Sequence, residues 1–286
     1  MKYYKGIICL ILIIINTLFW CVFLLSLALL KLIIPIESSK ILFTKLIITV
    51  GEYWIFCNDL WIKYLHKPSW DVYGFEKLDK ESWYIGISNH QSWADIFILQ
   101  SITNRNIPML KFFMKDILIW VPVIGLAWWA LDMPFLKRYS KEKLEKNPEL
   151  RGKDIKAMEK SFSRFSRYPV SIFIFAEGTR FTEEKKSYQN SKYKNLLEPK
   201  TGGLGLTLST MPYIEQLIDF TIVYDCKRKS FWDFLCGNMS KARVYVDTIN
   251  IPKHLKGRDY LEDKEYREEF KVWINAIWKK KDSLFS

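Results

Sequence analysis

The stretch Asn89-His90-Gln91-Ser92-Trp93-Ala94-Asp95 holds a histidine and a carboxylate five residues apart, directly after the apolar run Trp83-Tyr84-Ile85-Gly86-Ile87-Ser88. An ideal helix would separate two such residues by about 140° around its axis. They meet only if His90 lies in the turn after a strand and Asp95 in the first turn of a helix. Ser92 is a good helix N-cap, and an acid three residues later is the partner that a capping box requires. Read alone, the same residues describe a helix cap and a turn histidine. Read as chemistry, neutral His90 takes a proton from an attacking hydroxyl, while Asp95 fixes its tautomer and stabilises the imidazolium.

A second apolar run, Val170-Ser171-Ile172-Phe173-Ile174-Phe175, ends in Ala176-Glu177-Gly178-Thr179-Arg180-Phe181. Gly178 permits a close backbone approach after a strand, Thr179 adds a hydroxyl donor, and Arg180 can grip a phosphate with two parallel hydrogen bonds. Glu177 either orients Arg180 or binds an acceptor hydroxyl. Taken singly, this block is also a strand-ending turn with a surface ion pair. One block offers a base and the other an anion clamp, the pair expected for moving a group onto a hydroxyl of an anionic molecule. No serine or cysteine stands in a nucleophile motif such as G-x-S-x-G, which disfavours a hydrolase.

These residues must be held by a fold, and the rest of the chain indicates which. The strand-like runs at 83–88, 170–175, 218–224 and 243–247 alternate with helical material, predicting an α/β domain: a mixed sheet flanked by helices, with its site at strand ends. Residues 182–200 read as a polar loop, and 259–280 as an amphipathic helix with Tyr260, Phe270, Trp273, Ile274 and Ile277 on its apolar positions. The charged segment 139–167 reads as solvent-facing helix.

The N-terminal part is different. From Gly6 to Leu30 no residue is charged, and the run exceeds the ~20 residues needed for a spanning helix. It is also too long for a secretory signal core, which predicts a retained membrane helix or a helix pair, with Asn16-Thr17 near any bend. Residues 1–45 are accordingly expected to form the anchor and 46–286 the catalytic domain, with 41–66 as a joining helix. Basic residues on both sides (Lys2 and Lys5, then Lys31, Lys40 and Lys45) leave orientation open. The shorter apolar stretch 117–131, broken by Pro122 and Gly125, fits either a membrane interface or a core helix.

Forty-three Lys and Arg against 31 Asp and Glu give a net charge of +12 and imply an acidic partner, for which an anchored chain favours anionic lipid. Lys227-Arg228-Lys229 and Lys279-Lys280-Lys281 could instead serve a non-catalytic binding module, but no nucleic-acid fold signature accompanies them. Five cysteines without ligand-like spacing and only three histidines predict neither a disulfide framework nor a metal centre, and fit a reducing, cytoplasm-facing location.

The NHxxxxD block (Asn89, His90, Asp95) and the FxEGTRF block (Phe175, Glu177, Gly178, Thr179, Arg180, Phe181) resemble, in residues and spacing, the motifs of the glycerolipid acyltransferases of lysophosphatidate type. The resemblance covers roughly residues 75–225. It implies transfer of a fatty acyl group from acyl-CoA or acyl carrier protein to a lysophospholipid hydroxyl, most simply 1-acyl-glycerol-3-phosphate, with no further cofactor and no nucleic acid. It implies His90 as base, Asp95 as its partner, and Glu177, Gly178, Thr179 and Arg180 as the acceptor's phosphate site. Arg138, in a segment with Lys115, Pro122 and Gly125, is similar to a basic residue of the family's second block. The implied location is a bacterial inner membrane, with the catalytic domain on the cytoplasmic side. Ala176 replaces a proline frequent in the family, and the strand at 218–224 lacks another, so acceptor identity and acyl preference do not follow from the motifs.

Overall fold

The computed structural model describes residues 2–76, 78–136 and 162–285. Arg138 and most of the charged segment 139–167 lie outside the described residues.

Two long helices open the chain: α1 (Lys2–Ile33) and α2 (Glu37–His66). They pack against each other as a hairpin whose corner is Ile34-Pro35-Ile36. Proline disfavours helical backbone in the residue before it and has no N–H to continue the ladder, so the break falls there and not at the expected Asn16-Thr17. Both polar residues instead serve the helix pair. Asn16 Nδ2 donates to Trp54 O (3.0 Å) and Asn58 Oδ1 (2.9 Å), and Thr17 Oγ1 accepts from Trp54 Nε1 at 3.3 Å. The expected anchor boundary at residue 45 falls inside α2, and the joining helix forms the second arm of the hairpin. Both helices are long and apolar enough to cross a membrane, with mean hydropathy of 2.9 and 1.3 in their most apolar windows.

A six-stranded mixed sheet follows, in the order β1 (Ser69–Tyr73), β8 (Lys241–Asn250), β7 (Gln216–Tyr224), β2 (Tyr84–Ser88), β6 (Ser171–Phe175), β3 (Leu110–Phe112). Only the β7–β8 pair is antiparallel. The four expected strands are present. The two unexpected ones have weak sequence patterns, since β1 is a largely exposed edge strand and β3 is three residues long. A second, two-stranded parallel sheet joins β4 (Met114–Lys115) to β5 (Phe135–Leu136).

Central β2 and β6 are buried on both faces, which explains their unbroken apolar runs. In their parallel register Gly86 lies beside Phe173, and a Cβ on Gly86 would stand 2.5 Å from that ring. Glycine is therefore what lets the phenyl group pack across the sheet.

Helices cover both faces. On one side lie α6 (Gly202–Thr210) and α8 (Lys264–Ser283), whose Phe270, Ile274, Ile277 and Trp278 are buried with Ile85, Ile172 and Leu217. Each such side chain contributes on the order of 1.5–3 kcal/mol. On the other side α3 (Ala94–Thr103) and α7 (Phe231–Leu235) pack with Cys9 of α1 and Ile62 of α2. A third cluster joins the hairpin to α4 (Ile124–Ala130) through Leu24, Ile47, Ala127 and Ala130. The stretch 117–131 is divided between buried and exposed side chains. Ala127, Ala130 and Leu131 are core, whereas Ile117, Trp120, Leu126 and Trp129 stand exposed. Trp120 is 82% accessible, so its apolar side has no protein cover.

The expected C-terminal helix begins slightly later, at Lys264, with Asp263 as its cap. The polar stretch 182–200 contains one short helix, α5 (Glu183–Gln189), capped by Thr182.

Candidate active site

β2 ends at Ser88, and the chain turns through Asn89-His90-Gln91-Ser92 before α3 begins. Asn89 fastens this turn to the neighbouring strand. Its Nδ2 donates to Ile222 O and its Oδ1 accepts from Ile222 N, both at 2.9 Å, so one buried amide replaces a missing ladder step. His90 Nδ1 lies 2.8 Å from Asp95 Oδ2. The same oxygen accepts from the backbone N–H of Gln91 (2.7 Å) and Ser92 (3.0 Å). The Ser92 contact is the acid half of the expected capping box, but the serine half is displaced: Ser92 Oγ accepts from Ala94 N at 3.2 Å and not from Asp95 N, and Trp93 stands between Ser92 and the helix. The cap and the His90–Asp95 contact are therefore one arrangement, since the carboxylate that caps the turn also holds the imidazole.

Asp95 is completely buried, and His90 retains 13% side-chain exposure. The imidazole stacks on Phe175 with ring centroids 3.9 Å apart, so ring rotation is restricted on one face. With Nδ1 turned to the carboxylate, Nε2 is the nitrogen left to take a proton.

The second block meets the first directly. Phe181 N donates to His90 O at 2.7 Å, and Ala176 N to Ser88 O at 3.3 Å, so the two blocks meet at the C-terminal ends of the central strands. Gly178 turns the chain with φ +70°, a conformation that a Cβ would strain, and a Cβ there would also lie 3.0 Å from Lys200. Thr179 Oγ1 accepts from Lys185 Nζ at 2.8 Å. Arg180 is exposed, its guanidinium 5.2 Å from the centre of the Trp93 ring.

Glu177 turns the opposite way. It is fully buried, which holds its carboxyl well above the usual carboxylate range, with the Lys281 ammonium acting against the rise and Asp95 adding to it. Of the expected acceptor-site residues, Arg180 is exposed and Thr179 half-buried, whereas the fully buried Glu177 is closed off from an acceptor. Arg138 is not among the described residues.

Several contributors escaped sequence reasoning. Tyr224 OH donates to Asp95 Oδ1 at 2.6 Å. Lys281, expected in a surface basic cluster, is fully buried: it pairs with Asp219 at 2.6 Å and donates to Phe220 O at 2.6 Å. Burial lowers its pKa, and the Asp219 charge opposes that. Lys229 donates to Gln91 Oε1 at 2.5 Å. The spacing of Tyr224 at the end of an apolar strand was the one available signal. For Lys229 and Lys281 nothing in the local sequence separates a buried lysine from a solvated one.

An imidazole–carboxylate pair at the C-terminal ends of central strands, beside a loop that presents a cation, can carry group transfer, and comparison with known proteins gives the class. The Acyltransferase family profile matches residues 69–225, and the chain belongs to that family. It is 27% identical over 233 residues to human 1-acyl-sn-glycerol-3-phosphate acyltransferase delta, covering 75% of this chain and 55% of that protein. It is 26% identical over 242 residues to a 2-acyl-1-lysophosphatidylinositol acyltransferase of Saccharomyces cerevisiae, covering 70% of this chain and 60% of that protein. The chain thus spans little more than half the length of these relatives. The crystal structure of the 1-acyl-sn-glycerophosphate (LPA) acyltransferase PlsC from Thermotoga maritima has the same fold, with a TM-score of 0.52 at 16% identity over 97% of this chain and 98% of that one.

Proposed function

We propose that this chain is a membrane-bound lysophospholipid acyltransferase that uses His90 as general base. The observation carrying this reading is the 2.8 Å His90–Asp95 contact at the mouth of a loop that presents Arg180. The names of the relatives support a lysophospholipid acceptor, with 1-acyl-glycerol-3-phosphate as the simplest case and lysophosphatidylinositol as the second. The donor is an acyl thioester, on coenzyme A or acyl carrier protein.

In this reading His90 Nε2 takes the proton of the acceptor hydroxyl as its oxygen attacks the thioester carbonyl. The C–S bond then breaks, and the departing thiolate receives that proton from the imidazolium. Asp95 holds Nδ1–H throughout and balances the transient positive charge. The apolar hairpin and the exposed Trp120, Leu126 and Trp129 support a site beside a membrane surface, where a lysophospholipid acceptor resides. A cytoplasmic-facing position on a bacterial inner membrane is the location that fits a thioester donor.

The test is release of free thiol from acyl-CoA by the purified full-length protein, with and without a lysophospholipid. Acceptor-dependent release is expected, and His90→Ala should lower it about 100- to 10,000-fold. Full activity in His90→Ala would remove the base assignment.

A further inference from the structure

Lys229 stands in the loop between β7 and α7, outside both sequence blocks, yet two bonds fasten it to the turn that carries His90. Its carbonyl accepts from Ser92 Oγ at 2.7 Å, and its ammonium donates to Gln91 Oε1 at 2.5 Å. Both partners are neutral. Among the described residues neither Lys229 nor Arg180 has a carboxylate within 4.0 Å.

Asp95 does not fill that role, because four donors already converge on its two oxygens: His90 Nδ1, Gln91 N, Ser92 N and Tyr224 OH. Lys229 is half-buried, and burial lowers its pKa while Cys226, Asp95 and Glu183 act more weakly the other way. A partly desolvated ammonium without a counter-charge is unfavourable by itself and becomes favourable once an anion is bound.

The position of this cation matters for the substrate. Gln91, which holds Lys229, and Trp93, which carries Arg180, are two residues apart on the segment following His90. Two cations from distant parts of the chain are thus held on the turn that presents the base. In a glycerol phosphate the free hydroxyl and the phosphorus are only a few bonds apart. A hydroxyl on His90 Nε2 therefore brings its phosphate close to this turn.

Building on the acyl-transfer reading above, we infer that Lys229 is a second binding residue for the acceptor's phosphate, acting with Arg180, and that the pair favours a phosphate monoester over a phosphodiester. A monoester approaches two negative charges near neutral pH and matches two cations. A phosphodiester head group carries one charge and hinders access to it.

The experiment compares wild type, Lys229→Met and Lys229→Arg, as full-length protein in detergent with acyl-CoA. The acceptors are 1-oleoyl-lysophosphatidate and 1-oleoyl-lysophosphatidylinositol. Lys229→Met should raise KM for lysophosphatidate about tenfold or more, the loss expected for one charge-assisted hydrogen bond. Its KM for lysophosphatidylinositol should rise several-fold less, because the single charge of a phosphodiester can be met by Arg180 alone. Lys229→Arg should restore most of the loss, because it keeps the charge. Equal KM increases with both acceptors, a fall in kcat at constant KM, or no change would each overturn the inference. So would a wild-type preference for lysophosphatidylinositol. Failure of the acyl-transfer reading has a separate signature, absence of thiol release with every acceptor. In that event thermal stabilisation by glycerol 3-phosphate, retained in wild type and lost in Lys229→Met, still reads the phosphate site, and its absence from wild type overturns it.

Discussion

Tyr224 and Asp95, 129 residues apart in sequence, share a 2.6 Å hydrogen bond buried beneath the His90 turn. The phenol comes from the end of β7, the strand whose backbone at Ile222 already holds Asn89. One strand therefore positions the residue before His90 and the carboxylate that orients its ring. Burial, and then the Asp95 charge, hold the phenol's pKa far above its usual range, so it serves as a donor throughout the working range of pH. Tyr224→Phe keeps the packing and removes the donor. The expected result is a fall in kcat of roughly tenfold, since hydrogen bonds to charged groups contribute about 1.5–3 kcal/mol, with little change in either KM. Steady-state kinetics on a variant of unchanged circular dichroism would check it.

Lys281 and Asp219 form a fully buried ion pair that joins α8 to the sheet. Breaking such a pair by removing one partner typically costs about 3–5 kcal/mol, because the remaining charge is left unpaired away from water. Lys281→Met should therefore lower thermal stability sharply, and Lys281→Met with Asp219→Leu should recover much of the loss. Thermal unfolding of the two variants in detergent would distinguish a pair effect from a packing effect, which the double variant would not relieve.

Burial of Glu177 raises its folded-state pKa well above 4.5, so the folded protein holds this proton more tightly than the unfolded chain does. That stabilisation is fully present below about pH 4.5 and is lost as pH rises through the folded value. Glu177→Gln mimics the protonated form at every pH. Its melting temperature relative to wild type should therefore increase between pH 5 and pH 8; a constant or shrinking difference would contradict the assignment.

Trp120 and Leu126 are exposed on the apolar segment packed beside the hairpin. Replacing both with serine removes exposed apolar area without disturbing the buried Ala127 and Ala130. Activity on lysophospholipid presented in vesicles should fall several-fold, while activity on the same lipid dispersed in detergent should not. Equal losses in both assays would argue for a role inside the fold.

The sequence by itself determined the strands that carry the candidate site, the meeting of His90 with Asp95, the long apolar N-terminal helix and the amphipathic C-terminal helix. All of these rest on local pattern: unbroken apolar runs for doubly covered strands, helical spacing in α8, and capping chemistry at Ser92 and Asp95. The edge strand β1 and the three-residue β3 left no such pattern, because pairing with a neighbour defines them more than their own residues do. The hairpin corner falls at Pro35, whereas Asn16 interrupts an apolar run without ending its helix. That asparagine is polar for the sake of Trp54 and Asn58, partners 38 and 42 residues distant. Tertiary structure alone decided which charges are buried. Lys229 sits in a basic run much like that around Lys281, yet one is held at the site's mouth and the other inside the core. A charge acquires its role from what folding brings against it, and neither Gln91 nor Asp219 is near its lysine along the chain.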